Sequence, residues 1–557
     1  MAWYDNAVFY HIYPLGMTDA PKQNAYGEPV HRLNKLIPWI SHIKSIGCNA
    51  IYIGPLFESV GHGYETTDYK KLDSRLGDNE DLKNYVAKCH EAGIKVIFDG
   101  VFNHTGRDFF AFRDIKEKRE GSQYRDWYCN VNFGGNNEYN DGFSSDNWGG
   151  YNLLVKLNQK NPAVKDYICD VIRFWVKEFD VDGIRLDAAD VLDFDFMKAL
   201  RSVANEVKPE FWLMGEVIHG DYSRWVNEGT LHSVTNYHLH KALYSGHNDH
   251  NYFEIAHTVK RLYEMGGSNP NGFNLYNFVD NHDVERIITK LNNKAHYTPV
   301  HILLYTLPGI PSVYYGSEFG IEGKKEQFSD ASLRPALEFE DYRDALETNP
   351  HTRLIAALGK TRQSSKALCC GDYRELLLMN RQYAFSRTLE NECAVVTVNN
   401  DESDYVMTLP VTGTHAEYIG ALSGQRVSVV NGSICVNVRA NSGDIWLPLT
   451  DDAPEKAKPV TDAEAPCVTK NDASDNTDAP SEETCEIRAA STDNAQTPAA
   501  GTADGSESGS YADGKIAGLQ EAVLALMEKR GAVTDQMRRD VAANVYRDSL
   551  INWIKSF

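Results

Sequence analysis

Long apolar runs are missing from this chain. No stretch of its 557 residues approaches eighteen apolar residues, so no membrane-spanning helix is expected. Basic residues are the minority, 56 Lys and Arg against 78 Asp and Glu, and they form no footprint of the kind a phosphate backbone requires. Nucleic-acid binding is disfavoured on that ground. The ten cysteines include no CxxC pair and no dense framework, so a reduced, cytoplasmic enzyme is the simplest reading. The opening MAWYDNAVFYHIYPLG has no basic start, no long apolar stretch and no small-residue cleavage site, and is not expected to be a signal peptide. A Gly-rich phosphate turn is also lacking, which weighs against an open doubly wound sheet.

What is present points to a large globular enzyme. The length argues for two or three domains. Hydrophobic residues make up 42% and aromatics 11%, enough for extensive cores and for ring faces on which sugar C–H groups can lie. Of the formal charge of −22, a net −10 belongs to residues 451–512, which carry fourteen acidic and four basic residues. That segment, rich in Asp, Glu, Ala, Thr, Ser and Pro, buries too little to fold and reads as an acidic linker.

Short apolar strands alternate with longer helical patterns through the first 360 residues. Strands are expected at 7–13, 49–53, 95–99, 183–187, 212–216, 233–236, 274–279 and 312–315, and helices at 33–46, 79–92, 162–179 and 194–207. Asn161 followed by Pro162 is a cap-and-first-turn signal. Eight strand–helix alternations predict a parallel (β/α)₈ barrel, here at 1–103 and 161–365. Some sixty residues rich in Gly, Asn and aromatics interrupt it after strand three, and read as an inserted subdomain at 104–160. Alternating strands then predict an antiparallel β-sandwich at 366–450. Past the acidic linker, residues 513–557 regain helical spacing and predict a helical hairpin. Such a hairpin buries too little to stand alone, so it should pack on its own domains, on a second copy or on a partner protein.

Four motifs fall at the C-terminal ends of strands, where barrel active sites lie. They are DGVFNH (99–104), GIRLDAAD (183–190), GEV (215–217) and FVDNHD (278–283). Taken singly, an RxD pair is commonly a structural ion pair and an HD pair can be a metal site. Their order and placement on strands three, four, five and seven make a shared site the better account. This set resembles the α-amylase family, glycoside hydrolase family thirteen, as do FYHIYP, HGYETTDYKKLDSRLGDNEDLK and PGIPSVYYGSE, over about residues 1–450. The resemblance implies Asp187 as nucleophile, Glu216 as general acid/base and Asp283 as third carboxylate. It also implies sugar contacts from Tyr64, His104, Arg185, His282, Asp330 and Arg334, and places Asn158, in LVKLN, at the end of the inserted subdomain.

The chemistry is consistent with these roles. Retaining glycoside hydrolysis needs two carboxyl groups about 5–5.5 Å apart, and adjacent parallel strands can supply them. Arg185, two residues before Asp187 on the same face, would lower the nucleophile's pKa, and carboxylate neighbours would keep Glu216 protonated. The implied substrate is an α-glucan: maltodextrins, cyclodextrins or small malto-oligosaccharides. Small Ala188 after the nucleophile favours α-1,4 over α-1,6 cleavage. Many family members carry a Lys–His pair three and four residues past the nucleophile, serving sugar and calcium. Here Asp190 and Val191 stand there, and Asn103 alone cannot hold calcium, so no cofactor or metal is expected. Glu65 replaces an aspartate after the stacking tyrosine. A transglycosylase would use the same carboxylates, and a non-catalytic barrel acting as a binding subunit would not need them.

Overall fold

A computed structural model describes residues 2–266, 272–327 and 329–449. The acidic segment at 451–512 and the helical hairpin at 513–557, with the docking role expected of it, lie outside the described residues. Eight short parallel strands make one sheet: β1 (Phe9–Ile12), β2 (Ala50–Ile53), β3 (Lys95–Gly100), β4 (Gly183–Leu186), β5 (Trp212–Gly215), β6 (Ser233–Val234), β7 (Tyr276–Phe278) and β8 (Ile310–Tyr314). Their spatial order is β6-β5-β4-β3-β2-β1-β8-β7, and a parallel bridge from Thr235 to Tyr276 joins the two edges into a barrel.

Alternation along the strands divides two cores. Phe9, Tyr52, Ile97, Trp212, Met214, Tyr276 and Phe278 fill the barrel interior. Tyr10, Ile51, Ile53, Val96 and Phe98 pack outward under the helices. Among those helices α1 (Trp39–Ser45), α2 (Asn79–Glu91), α3 (Pro162–Phe179) and α4 (Phe194–Val207) follow the expected spacing. Asn161 caps α3 by accepting from the Ala163 N–H, with Pro162 in the first turn. Asp193 caps α4 by accepting from Asp195 and Phe196. The helix expected at 33–46 is split. Pro38 has no N–H to donate, so the chain forms a 3₁₀ turn at Arg32–Leu36 and begins α1 after the proline.

After β3 the chain leaves the barrel's C-terminal end. It builds a helix (Phe110–Lys118) and a small antiparallel sheet in which Tyr151–Lys156 lies between His104–Thr105 and Asn147–Trp148. Beyond the barrel, eight strands from Asp372 to Pro448 form a six-stranded and a two-stranded antiparallel sheet packed on Trp446, Tyr418, Met407 and Val436. Buried Arg387 ties this sandwich to the barrel by donating to the carbonyl of Thr306, at 2.8 Å, and to that of Gly371, at 3.0 Å. Among the described residues no helix is long and apolar enough to cross a membrane.

The N-terminal end of the barrel carries a charge cluster of its own. Asp182, 1% exposed just ahead of β4, pairs with His90 at 2.7 Å and with Lys95 and Lys208 at 2.9 Å each. It also accepts the Val96 N–H at 3.0 Å. This end of a barrel serves stability rather than chemistry. Asp182→Ala should therefore destabilise the fold by about 3 kcal/mol, near the low end for a broken buried pair because both lysines can turn to water. Urea unfolding checks the loss, and kcat of the folded variant should stay within about twofold of the parent.

Candidate active site

Arg185 is the centre of the site. It points into the barrel from β4, 3% exposed. Parallel pairing sets Asp99 of β3 directly beside it in register. Its Nη1 donates to Asp99 Oδ1 and to Asp187 Oδ1, each at 2.9 Å, and its Nη2 lies 2.9 Å from Glu216 Oε2. The carboxyl groups of Asp187 and Glu216 thus rest on the two terminal nitrogens of one guanidinium. Ala188 donates its N–H to Glu216 Oε2 at 3.0 Å, and Tyr237 Oη lies 3.5 Å from Oε1.

A second branch continues from Asp99, which accepts from Tyr52 at 2.8 Å and from Tyr64 at 3.2 Å. The Tyr64 hydroxyl meets His282 Nε2, and the two rings stack at an interplanar angle of 11°. His282 Nε2 is also 3.0 Å from Asp283 Oδ2. Arg334 donates to Asp283 Oδ1 at 2.9 Å, to Asp330 at 3.2 Å and to the His282 carbonyl at 3.0 Å. Eight of the nine expected site residues therefore belong to one continuous chain of polar contacts. His104 stands beside it, with Asn103 on its Nδ1 and no protein partner on its buried Nε2. Asn158 lies apart, donating to the Asp126 carbonyl where the inserted subdomain closes.

One electrostatic expectation needs correction. Burial pushes the Asp187 carboxyl well above the usual range. Arg185 opposes the shift, while Glu216, Asp99 and Asp283 add to it. The arginine contact is present but does not set the direction, because burial outweighs it and two other carboxylates, Asp99 and Glu216, share the same cation. Glu216 does not face carboxylates alone, since Arg185 and the Ala188 N–H both donate to it. Asp283 behaves in the opposite way: burial would raise it, yet His282, then Arg334 and Arg185, hold it well below the usual carboxylate range.

The model of the α-amylase catalytic domain matches residues 12–353. The chain belongs to the α-amylase family. It is 32% identical to a cyclomaltodextrinase of Thermoanaerobacter pseudethanolicus over 431 residues, 73% of this chain and 72% of the relative. An intracellular maltogenic amylase of Bacillus subtilis is 27% identical over 419 residues, 71% of this chain and 69% of that protein. A solved cyclomaltodextrinase structure superposes with a TM-score of 0.69 at 26% identity, covering 80% of this chain and 78% of the other. The chain is accordingly a glycosidase of the α-amylase family.

Within this α-amylase family site, residues beyond the expected set also take part. Asp99 stood in the DGVFNH motif, but its role depends on the register that sets it against Arg185. Tyr13, from FYHIYP, places its ring 4.5 Å from the Arg334 guanidinium. At the positions considered from the sequence for calcium, the Asn103 amide is engaged on both sides, by Gln159 and by His104, and Val191 offers no side-chain oxygen.

A carboxyl whose native pKa lies above its unfolded value weakens the fold once ionised, and the loss grows as pH rises from the ordinary carboxylate range through the raised value. Asp187→Asn removes that charge. Its melting temperature should exceed the parent's by a few degrees at pH 7.5, with a smaller difference at pH 4.5. Calorimetry at both pH values tests this, and a gap that does not depend on pH would contradict the raised pKa of Asp187.

Proposed function

We propose that this glycosidase hydrolyses α-1,4-glucosidic bonds in maltodextrins, cyclodextrins or small malto-oligosaccharides, with retention of configuration. The reading is carried by one observation: Asp187 and Glu216 share the Arg185 guanidinium at the mouth of the barrel. Ionised Asp187 attacks the anomeric carbon while the bond to the leaving sugar oxygen breaks and Glu216 supplies that oxygen with a proton. Glu216 then takes a proton from water, which attacks the same carbon and releases Asp187. Asp283, held ionised by His282 and Arg334, is placed to accept hydrogen bonds from sugar hydroxyls, and Tyr64 offers a ring face. The α-1,4 preference rests on Ala188, whose left-handed backbone (φ 46°) would strain a β-branched side chain. The names of the relatives support the substrate class, and the intracellular relative supports a cytoplasmic setting. We further propose that no metal is required.

Chromatography of products from maltotriose, maltoheptaose, cyclodextrin, pullulan and isomaltose tests the substrate reading, which fails if only isomaltose is cleaved. Asp187→Asn should lower kcat by at least about 10⁴-fold. Glu216→Gln should be comparably damaging with an ordinary glucoside, but much less so in the glycosylation step of a substrate whose leaving group needs no proton. Equal single-turnover losses on both substrates would remove Glu216 from the acid role. A chelator should leave activity and melting temperature nearly unchanged, whereas a calcium-reversible fall of about ten degrees would reveal a metal site.

A further inference from the structure

Gln159 lies where the inserted segment returns to the barrel, 5% exposed and next to none of the reacting groups. Its side-chain amide spans two segments that do carry site residues. Gln159 Oε1 accepts the backbone N–H of Asp193 at 2.6 Å. A backbone N–H can only donate, so this contact settles which end of the Gln159 amide is which. The Nε2 end then faces Asn103 and donates to its Oδ1 at 3.4 Å. That leaves Asn103 Nδ2 against His104 Nδ1, at 3.2 Å. Because Nδ2 also only donates, Nδ1 must be the bare nitrogen of the ring.

The starting point of this relay is rigid, since Asp193 is the cap of α4, the helix that follows the strand leading to Asp187. Its end point is neutral: burial, reinforced by His62 and opposed by the Tyr64 backbone, pushes His104 down to about 3. A neutral imidazole with a bare Nδ1 carries its one proton on Nε2, the buried nitrogen that has no protein partner. We propose that Gln159 is a positioning residue that sets the tautomer of His104, so that Nε2 presents an N–H donor to a hydroxyl of the bound sugar. The inserted subdomain and the fourth barrel segment are thereby joined by neutral amides. The sugar-facing half of this assignment rests on the function proposed above, while the tautomer itself does not.

Gln159→Glu is the discriminating substitution. The new carboxylate can still accept from Asp193 but cannot donate to Asn103. The Asn103 amide should then turn over, face His104 with its oxygen and draw the ring proton to Nδ1. Nitrogen NMR of the full chain labelled in histidine reads this directly, with the His104 signals identified by their loss in His104→Asn. The parent should show the Nε2–H form and Gln159→Glu the Nδ1–H form near pH 8, with KM for maltotriose raised about tenfold and kcat less affected. Asn103→Asp, which likewise cannot donate to Nδ1, tests the next link if the first variant folds poorly. An Nδ1–H form in the parent, or an unchanged Nε2–H form in both folded variants, would overturn the proposal. A parent that shows the Nε2–H form but cleaves no malto-oligosaccharide would leave the tautomer assignment standing and remove the functional reading instead.

Discussion

Everything at the mouth of the barrel depends on one buried cation. Arg185 has lost its water, and a guanidinium in that position persists only if acceptors surround it. Asp99, Asp187 and Glu216 supply them from three adjacent strands. The arrangement satisfies the arginine and concentrates carboxylates that would otherwise repel one another. Removing the cation would leave three acids clustered in a low-dielectric cleft, and removing the acids would strand a charge. The catalytic geometry and the stability of the upper barrel are therefore the same set of contacts.

Strand parity explains why these groups meet. Positions two apart share a face, so Arg185 and Asp187 both project from the inward side of β4, above the apolar layer formed by Ile97 and Trp212. Parallel register places Asp99 level with Arg185, and Arg185 level with Met214, which leaves Glu216 one step higher. At the opposite end of the same strand Asp182 gathers one histidine and two lysines. One short strand thus has a charge cluster at either end. The lower cluster sets its two lysines against Asp182 and Asp180 and fixes the strand, whereas the upper sets three acids against Arg185, which together with burial leaves Asp187 with a raised pKa.

The second branch divides the labour among carboxylates of the same chemical type. Asp283 lies against His282 and Arg334 and is held ionised, while Asp187 must share a single arginine with two other acids. Neighbours rather than residue type produce the difference. Tyr64 joins the branches, with its hydroxyl between Asp99 and His282, so a displacement in either branch is felt in the other.

The sequence alone determined the periodic features. Strand and helix spacing, the Asn161–Pro162 helix start and the four motifs at strand ends are local signals, and they were sufficient to identify the barrel and the sandwich, whereas Tyr64, Asp330 and Arg334 were named only through the resemblance to the α-amylase family. Pro38 shows the limit of periodicity, because one missing N–H divided a helix whose apolar spacing ran on. Tertiary structure alone decided the balance of charge. Arg185 sits two residues from Asp187 in sequence, which suggested a depressed nucleophile. The opposite direction follows first from burial, and then from Glu216 on the neighbouring strand and Asp99, 86 residues before Arg185, both drawing on the same guanidinium. The orientation of the Gln159 amide was equally beyond local reading, since it is set by a backbone N–H 34 residues further along. Spacing along a chain reports which face a side chain occupies, but desolvation and the sharing of a donor depend on every group that folding brings alongside it.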